Sequence, residues 1–494
     1  MSVPRGRRAS RGWALVRWLV LGVVVAATWA CTQHTLVAPV PDLMRADEHQ
    51  FLQAVNRKLD LLFMIDNSSS MQPLQDKLAK NLPVLVQGLT ALPGGLPDIH
   101  IAVVSSSSQP GMTTDIPGCT PSQVENGVFQ HAFNPTGIAG HPECDGLTLN
   151  GSFISAEAGV APNFTGNIED VFSCIALLGE AGCGFEHQFG SIERALDPLH
   201  PIAENAGFLR DDAYLAVVLL TNEDDCSAPA NTALFNDESG TSADPLGRLA
   251  SYRCTEFGIL CDGKRPPHTL PPETTVQETG CVSAEDQGQL ITDASFEAFL
   301  VGLKNGDRSK LLLASIIGPP TPFAVSTVLS RSSAPDSSDP TAPGLVPSCV
   351  ATNTIDYGDP AVRVADVVNS FGGVTFDICE DDYSPAMSQI ATALGKLLGP
   401  QCLPNTILND ATGNPECTVT ERTVAADGTP TDTVISHCAT AAAPFPSPCW
   451  RLLASPADCG ADELFRVCRD SACDATASGA ATSANVTVEC AVTP

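Results

Sequence analysis

The chain predicts an α/β fold around a mostly parallel sheet, and three observations carry that expectation. Apolar runs of strand length at 59–65, 214–220 and 311–317 alternate with stretches of helical spacing. None of these runs shows the polar alternation of a one-sided sheet, which fits strands covered on both faces. At 494 residues the chain is long enough for two or three domains with a sizeable core.

The elements follow in order. Leu59 to Ile65 is the first strand, and Leu74, Leu78, Leu82, Leu85 and Leu89 then recur at helical spacing. Pro83 is expected to kink or split that helix, because proline lacks the N–H that an interior turn needs. Ile99 to Val104 reads as a strand, Ile168 to Leu178 and Phe189 to Leu196 as helices, and Tyr214 to Leu220 as a strand. Phe296 to Leu303 reads as a helix, Leu311 to Ile317 as a strand, and 318–348 as a Pro/Ser-rich loop. Ala361 to Phe371 is a helix, Val374 to Ile378 a strand and Pro385 to Leu398 a last helix. Strands alternating with helices imply parallel pairing. Two long Gly/Pro-rich, cysteine-bearing stretches, 105–165 and 226–285, read as stapled insertions.

The first strand runs directly into Asp66-x-Ser68-x-Ser70. One carboxylate and two hydroxyls on a tight loop are the oxygen donors that hard divalent cations take. Capping of the following helix by the same Asp and Ser side chains is the competing reading. Apolar strand, motif, Met71 and amphipathic helix together resemble the von Willebrand factor A (VWA) domain and its metal-ion-dependent adhesion site (MIDAS), over residues 55–400. The resemblance implies a doubly wound, Rossmann-like sheet of order 3-2-1-4-5-6. It would set the strand ending at Asp66 beside the strand ending at Thr221, and ligands bind where such winding reverses.

Carried over, the resemblance gives Asp66, Ser68 and Ser70 as metal ligands. In its second loop Glu186 stands where a threonine belongs, before Phe189-Gly190-x-Ile192. In its third, Asn222 stands in the aspartate position, with Glu223, Asp224 and Asp225 just beyond. The expected metal set is therefore Asp66, Ser68, Ser70, Glu186, Asn222, Asp224 and Asp225. The cation is Mg²⁺ or Ca²⁺, with Mn²⁺ as a third choice, and direct ligation by Glu186 shifts the preference toward Ca²⁺. His187 reads as a packing residue rather than a ligand.

Arg5, Arg7, Arg8 and Arg11 precede an apolar run at 18–27, which reads as an export signal over 1–30, with a linker at 31–54. Cys31 resembles the lipid-accepting cysteine of bacterial lipoproteins, so the expected destination is the bacterial cell envelope, at the outer membrane, or secretion. Setting Cys31 aside leaves 18 of the 19 cysteines, an even number suited to disulfides in an exported chain. From Gly399-Pro400 the composition changes, and 401–494 reads as a small cysteine-rich β module that needs bridges to hold it.

A net charge of −30 disfavours nucleic acid and anionic membrane surfaces as partners. No Gly-x-Ser-x-Gly, His-Glu-x-x-His, P-loop or strand-borne Gly-x-Gly-x-x-Gly occurs, so the chain is not expected to be an enzyme. The resemblance implies a binding protein whose cation engages an acidic residue on a protein or cell-surface partner. The competing function is a structural envelope lipoprotein in which the metal loop only staples the fold.

Overall fold

The structure is a computed structural model describing residues 45–52, most of 57–398, and segments of the remainder at 402–403, 407–410, 413–424, 430–438, 448–454, 463–468 and 484–492. The expected signal at 1–30, Cys31 and most of the 31–54 stretch lie outside the described residues. The main body is a mixed α/β unit. Its strands are β1 (Lys58–Ile65), β2 (Asp98–Ser105), β3 (Ile154–Ala156), β4 (Tyr214–Thr221), β5 (Leu311–Ile317) and β6 (Val374–Asp377). They form one sheet in the order β6-β5-β4-β1-β2-β3. All neighbours are parallel except β3, which runs antiparallel along β2.

Helices cover both faces. On one side α1 (Gln72–Thr90), α2 (Ile168–Ile175) and α6 (Ser384–Leu398) bury Leu59, Leu61, Phe63 and Ile65. On the other, α3 (Gln188–Leu196), α4 (Asp293–Leu303) and α5 (Val362–Ser370) bury Leu62 and Met64. That two-sided burial is why β1 and β4 are mostly apolar, at about 1.5–3 kcal/mol for each large side chain removed from water, and the one acid inside β1, Asp60, is buried in an ion pair with Arg210 at 2.8 Å. Parallel register sets Ile65 beside Leu220, so the loops after β1 and β4 emerge side by side.

Several expectations change. The linker reading of 31–54 gives way, because Arg45–Leu52 is a strand paired antiparallel with Ala484–Val492 in a four-stranded sheet of the tail. Pro83 does not split α1, which runs unbroken through it. The 105–165 insertion supplies β3, and the 318–348 stretch supplies two short strands, Phe323–Ser326 and Gly344–Val346. Strands of three or four residues are too short for a periodic signal, so tertiary pairing decides them.

Cys119–Cys183 and Cys144–Cys174 tie the first insertion to the body, while Cys226–Cys254 and Cys261–Cys281 close the second. Cys349–Cys379 joins a hairpin to the end of β6, and Cys417–Cys490 and Cys438–Cys449 hold the tail. None of these seven bridges joins residues 55–400 to the tail at 401–494. This density is that of an exported protein in an oxidising compartment. Among the described residues no helix is long and apolar enough to cross a membrane.

Candidate metal cleft at the ends of the central strands

Asp66 leaves β1 with its backbone N–H donating to Leu220 O of β4 at 2.9 Å, which fixes the two loops side by side. Its side chain is fully buried. Oδ1 accepts from Ser68 N (2.8 Å) and Ser106 Oγ (3.1 Å), and Oδ2 accepts from Thr221 Oγ1 (2.8 Å). Burial nonetheless outweighs these bonds and raises the Asp66 pKa. The following helix takes no side-chain cap from Asp66 or the serines, so the capping reading does not describe them.

The second loop is sewn to the first. Gln75 Nε2 donates to Asp66 O and to Gly179 O, and its Oε1 accepts from Gly179 N. Gly182 N donates to Asn67 O at 2.8 Å, while Ser107 Oγ donates to Asn67 Oδ1 and accepts from Cys183 N. Gly182 is required there: a Cβ would stand 2.2 Å from Asn67 Oδ1. The chain thus arrives at Glu186, whose carbonyl accepts from Cys226 N of the third loop at 2.8 Å.

Glu186 is 2 % exposed, and its carboxyl shares a cavity wall with that of Glu223, near enough for the two charges to act on one another. Burial, then the Glu223 and Asp66 charges, push the Glu186 pKa far up; burial also lifts Glu223, to about 7. Two neighbouring acids largely withdrawn from water are stabilised by a shared proton or a cation. Glu186 Oε1 and Ser68 Oγ are buried with no hydrogen-bond partner. Ser70 Oγ accepts from Asn222 Nδ2 at 3.0 Å. Beside the glutamates is a cavity of ≈ 20 Å³, lined by Glu186, Glu223, Asp224, Asp225, Asp359 and, from the second insertion, Ser251, Tyr252, Cys254 and Thr255, with no lysine or arginine in its wall.

Of the expected set, Asp66 is thus joined to Ser68 and to the third loop through Thr221, Ser70 is joined to Asn222, and Glu186 lines the neighbouring cavity. Asp224 and Asp225 line the same cavity, but their oxygens serve the fold. Asp224 accepts from Arg363 N (3.0 Å) and Val364 N (3.2 Å) at the start of α5. Asp225 accepts from Phe189 N at the start of α3, from Ser227 N and Oγ, and from Arg363 Nη2 at 3.2 Å. His187 is buried, with Nδ1 against Phe185 O at 2.7 Å and its ring beside Phe235. Ser106, Thr221 and Gln75 were not singled out as site residues from sequence, and Glu223 was noted only within the acidic run 223–225. The run Ser105-Ser106-Ser107-Ser108 at the end of β2 was the available signal for one of them.

Among the described residues, the sets of three or more His, Cys, Asp or Glu ligand atoms within 4.8 Å of one another are Cys438/Cys449/Cys468 and Cys349/Asp377/Cys379. Their cysteines are all in disulfides, which removes the thiolates a metal would need. No three acids of the cleft form such a set.

No family model matches the chain, and no curated protein matches it. Among solved structures, the pilus adhesin SpaC from Lactobacillus rhamnosus GG, in its open conformation, aligns at TM-score 0.27 and 10% identity over 91% of this chain and 42% of that one. The human COPII-coat protein Sec24c aligns at TM-score 0.28 and 10% identity, over 90% of this chain and 46% of that one. The chain spans less than half the length of either protein, and likenesses so slight carry no argument about function.

Proposed function

We propose that this chain is an exported binding protein of the VWA type, without catalytic activity, whose cleft holds a divalent cation and through it engages an acidic residue on a protein or cell-surface partner. One observation carries the reading: Glu186 and Glu223 line a cavity with no cationic side chain in its wall, and Glu186 Oε1 is buried there without a hydrogen-bond partner. The strand order and the helices on both faces support a doubly wound arrangement, and such a fold binds ligands at this edge.

The donors fit a hard cation, being carboxylates, hydroxyls and an amide oxygen. A bound cation supplies the positive charge the cluster lacks. Ser68, Ser70 and Asn222 would hold it with Glu186, while Asp66, oriented by Ser68 N, Ser106 and Thr221, sets the negative field behind it. The disulfide-closed insertions at the rim would supply specificity, and Cys31 would provide a lipid anchor to the envelope.

A second reading has its own support. Asp66, Ser68, Glu186 and Asn222 are all at most 4 % exposed, as in a cation that staples loops without meeting a partner. Titration calorimetry of the mature protein with Ca²⁺, Mg²⁺ and Mn²⁺ against Asp66→Ala tests the site itself. Wild type binding none of them better than the mutant would sink both readings. With Mn²⁺ bound, an aspartate-containing peptide should lower the water relaxation enhancement by displacing a coordinated water. An unchanged enhancement would leave the staple.

A further inference from the structure

We infer that Glu186 and Glu223 act together as the principal grip on the cation, making the cleft a calcium site in which Glu223, rather than Asn222, Asp224 or Asp225, is the third loop's acidic ligand. This inference rests on the proposed cation reading and deepens it.

The geometry separates the four third-loop candidates. Asp224 spends both oxygens on the first turn of α5, and Asp225 divides its own between the start of α3, Ser227 and Arg363. Asn222 carries no charge, and its amide turns to Ser70 and to Tyr357 O. Glu223 has no such helix start to serve and lines the same cavity as Glu186, which keeps one oxygen buried and unpartnered. The acid at the third loop has thus moved one residue along the chain, and a second acid has arrived on the second loop.

The ion that suits such a pair follows from coordination chemistry. Mg²⁺ demands near-ideal octahedral geometry at about 2.0–2.1 Å and tends to keep several waters. Ca²⁺ takes six to eight oxygens at about 2.3–2.6 Å and accepts bidentate carboxylates in irregular arrangements. Two glutamates, Ser68, and the Ser251 and Thr255 residues lining the adjoining cavity make up a varied, all-oxygen set of that kind. With Asp66 close enough to repel both glutamates, the protein alone can neutralise a divalent charge.

The test is calcium and magnesium titration of the mature full chain, with Glu186→Gln, Glu223→Gln, Asp224→Asn and Asp66→Ala beside the wild type, each checked for folding by circular dichroism. Wild type is expected to prefer Ca²⁺ over Mg²⁺ by tenfold or more. Glu223→Gln and Glu186→Gln should each weaken Ca²⁺ by roughly a hundredfold, and Asp224→Asn by less than about fivefold. Either glutamine variant is close to isosteric, so both should fold. Glutamine variants that keep wild-type calcium affinity while Asp66→Ala loses it would overturn this inference and leave the cation reading standing. A wild type preferring Mg²⁺ would overturn it even if no variant folds. A wild type that binds neither ion removes the underlying reading as well.

Discussion

Replacing Asp225 by alanine should damage the fold whether or not a cation is present. Asp225 is 1 % exposed and joins three elements: it caps α3 through Phe189 N, holds Ser227, and pairs with the buried Arg363 at 3.2 Å. Losing one partner of a buried ion pair costs about 3–5 kcal/mol, because the remaining charge stays desolvated. Loss of the helix cap adds about 1 kcal/mol. Asp293, 3.5 Å from Arg363 Nη1, offsets part of this by keeping one acid near the guanidinium. A net loss of about 3–5 kcal/mol is expected, a large share of the roughly 5–15 kcal/mol that holds a typical protein folded. Urea unfolding under non-reducing conditions, followed by tryptophan fluorescence and circular dichroism, measures it in EDTA and again in excess calcium. The same loss in both media is the expected result, since the Asp225 oxygens are already occupied. A change under about 1 kcal/mol, or a loss seen only with calcium, would refute a structural role and return Asp225 to the ligand set.

Gly182→Ala should lower both stability and cation affinity, since its Cβ would meet Asn67 Oδ1 at 2.2 Å and Ser107 Oγ at 2.5 Å; about 1–3 kcal/mol in unfolding experiments is expected, and an unperturbed variant would show that the second loop is not clamped to the first. The double variant Cys226→Ala/Cys254→Ala removes a bridge of sequence separation 28 and should cost about 3.5 kcal/mol, read as a shift in urea midpoint. Glu193 is pushed up to about 7 by burial and then by Asp225 and Asp197. Above pH 4.5 the unfolded chain has released that proton while the folded chain retains it, so its contribution is full below pH 4.5 and lost as pH rises through 7. Melting temperatures between pH 5 and 8 should therefore decline less steeply in Glu193→Gln, and an unchanged slope would assign the decline elsewhere.

Much of the sheet was readable because burial on both faces leaves a direct trace in composition. Apart from the ion-paired Asp60, Leu59 to Ile65 and Tyr214 to Leu220 are apolar because neither face meets water, and the helix spacing of Leu74 to Leu89 marks the side that packs on them. Short pieces left no such trace. β3 has three residues, and Arg45–Leu52 becomes a strand only by pairing with a segment more than 400 residues away. The first metal loop was legible because Asp66, Ser68 and Ser70 lie within five residues. Glu223 was visible only as one acid in a run of three.

The sequence by itself determined the alternation of strand and helix, the export-type cysteine content and the Asp66–Ser70 motif, because each is local in the chain. Which acid faces the cleft was decided by tertiary structure alone. Glu223, Asp224 and Asp225 are chemically similar neighbours, yet Asp224 and Asp225 are drawn to the N–H groups that begin α5 and α3, and Glu223 is left against Glu186. A helix start satisfies its orphan donors with whichever carboxylate the fold brings to it, and that choice depends on where distant helices land rather than on the order of residues in a loop.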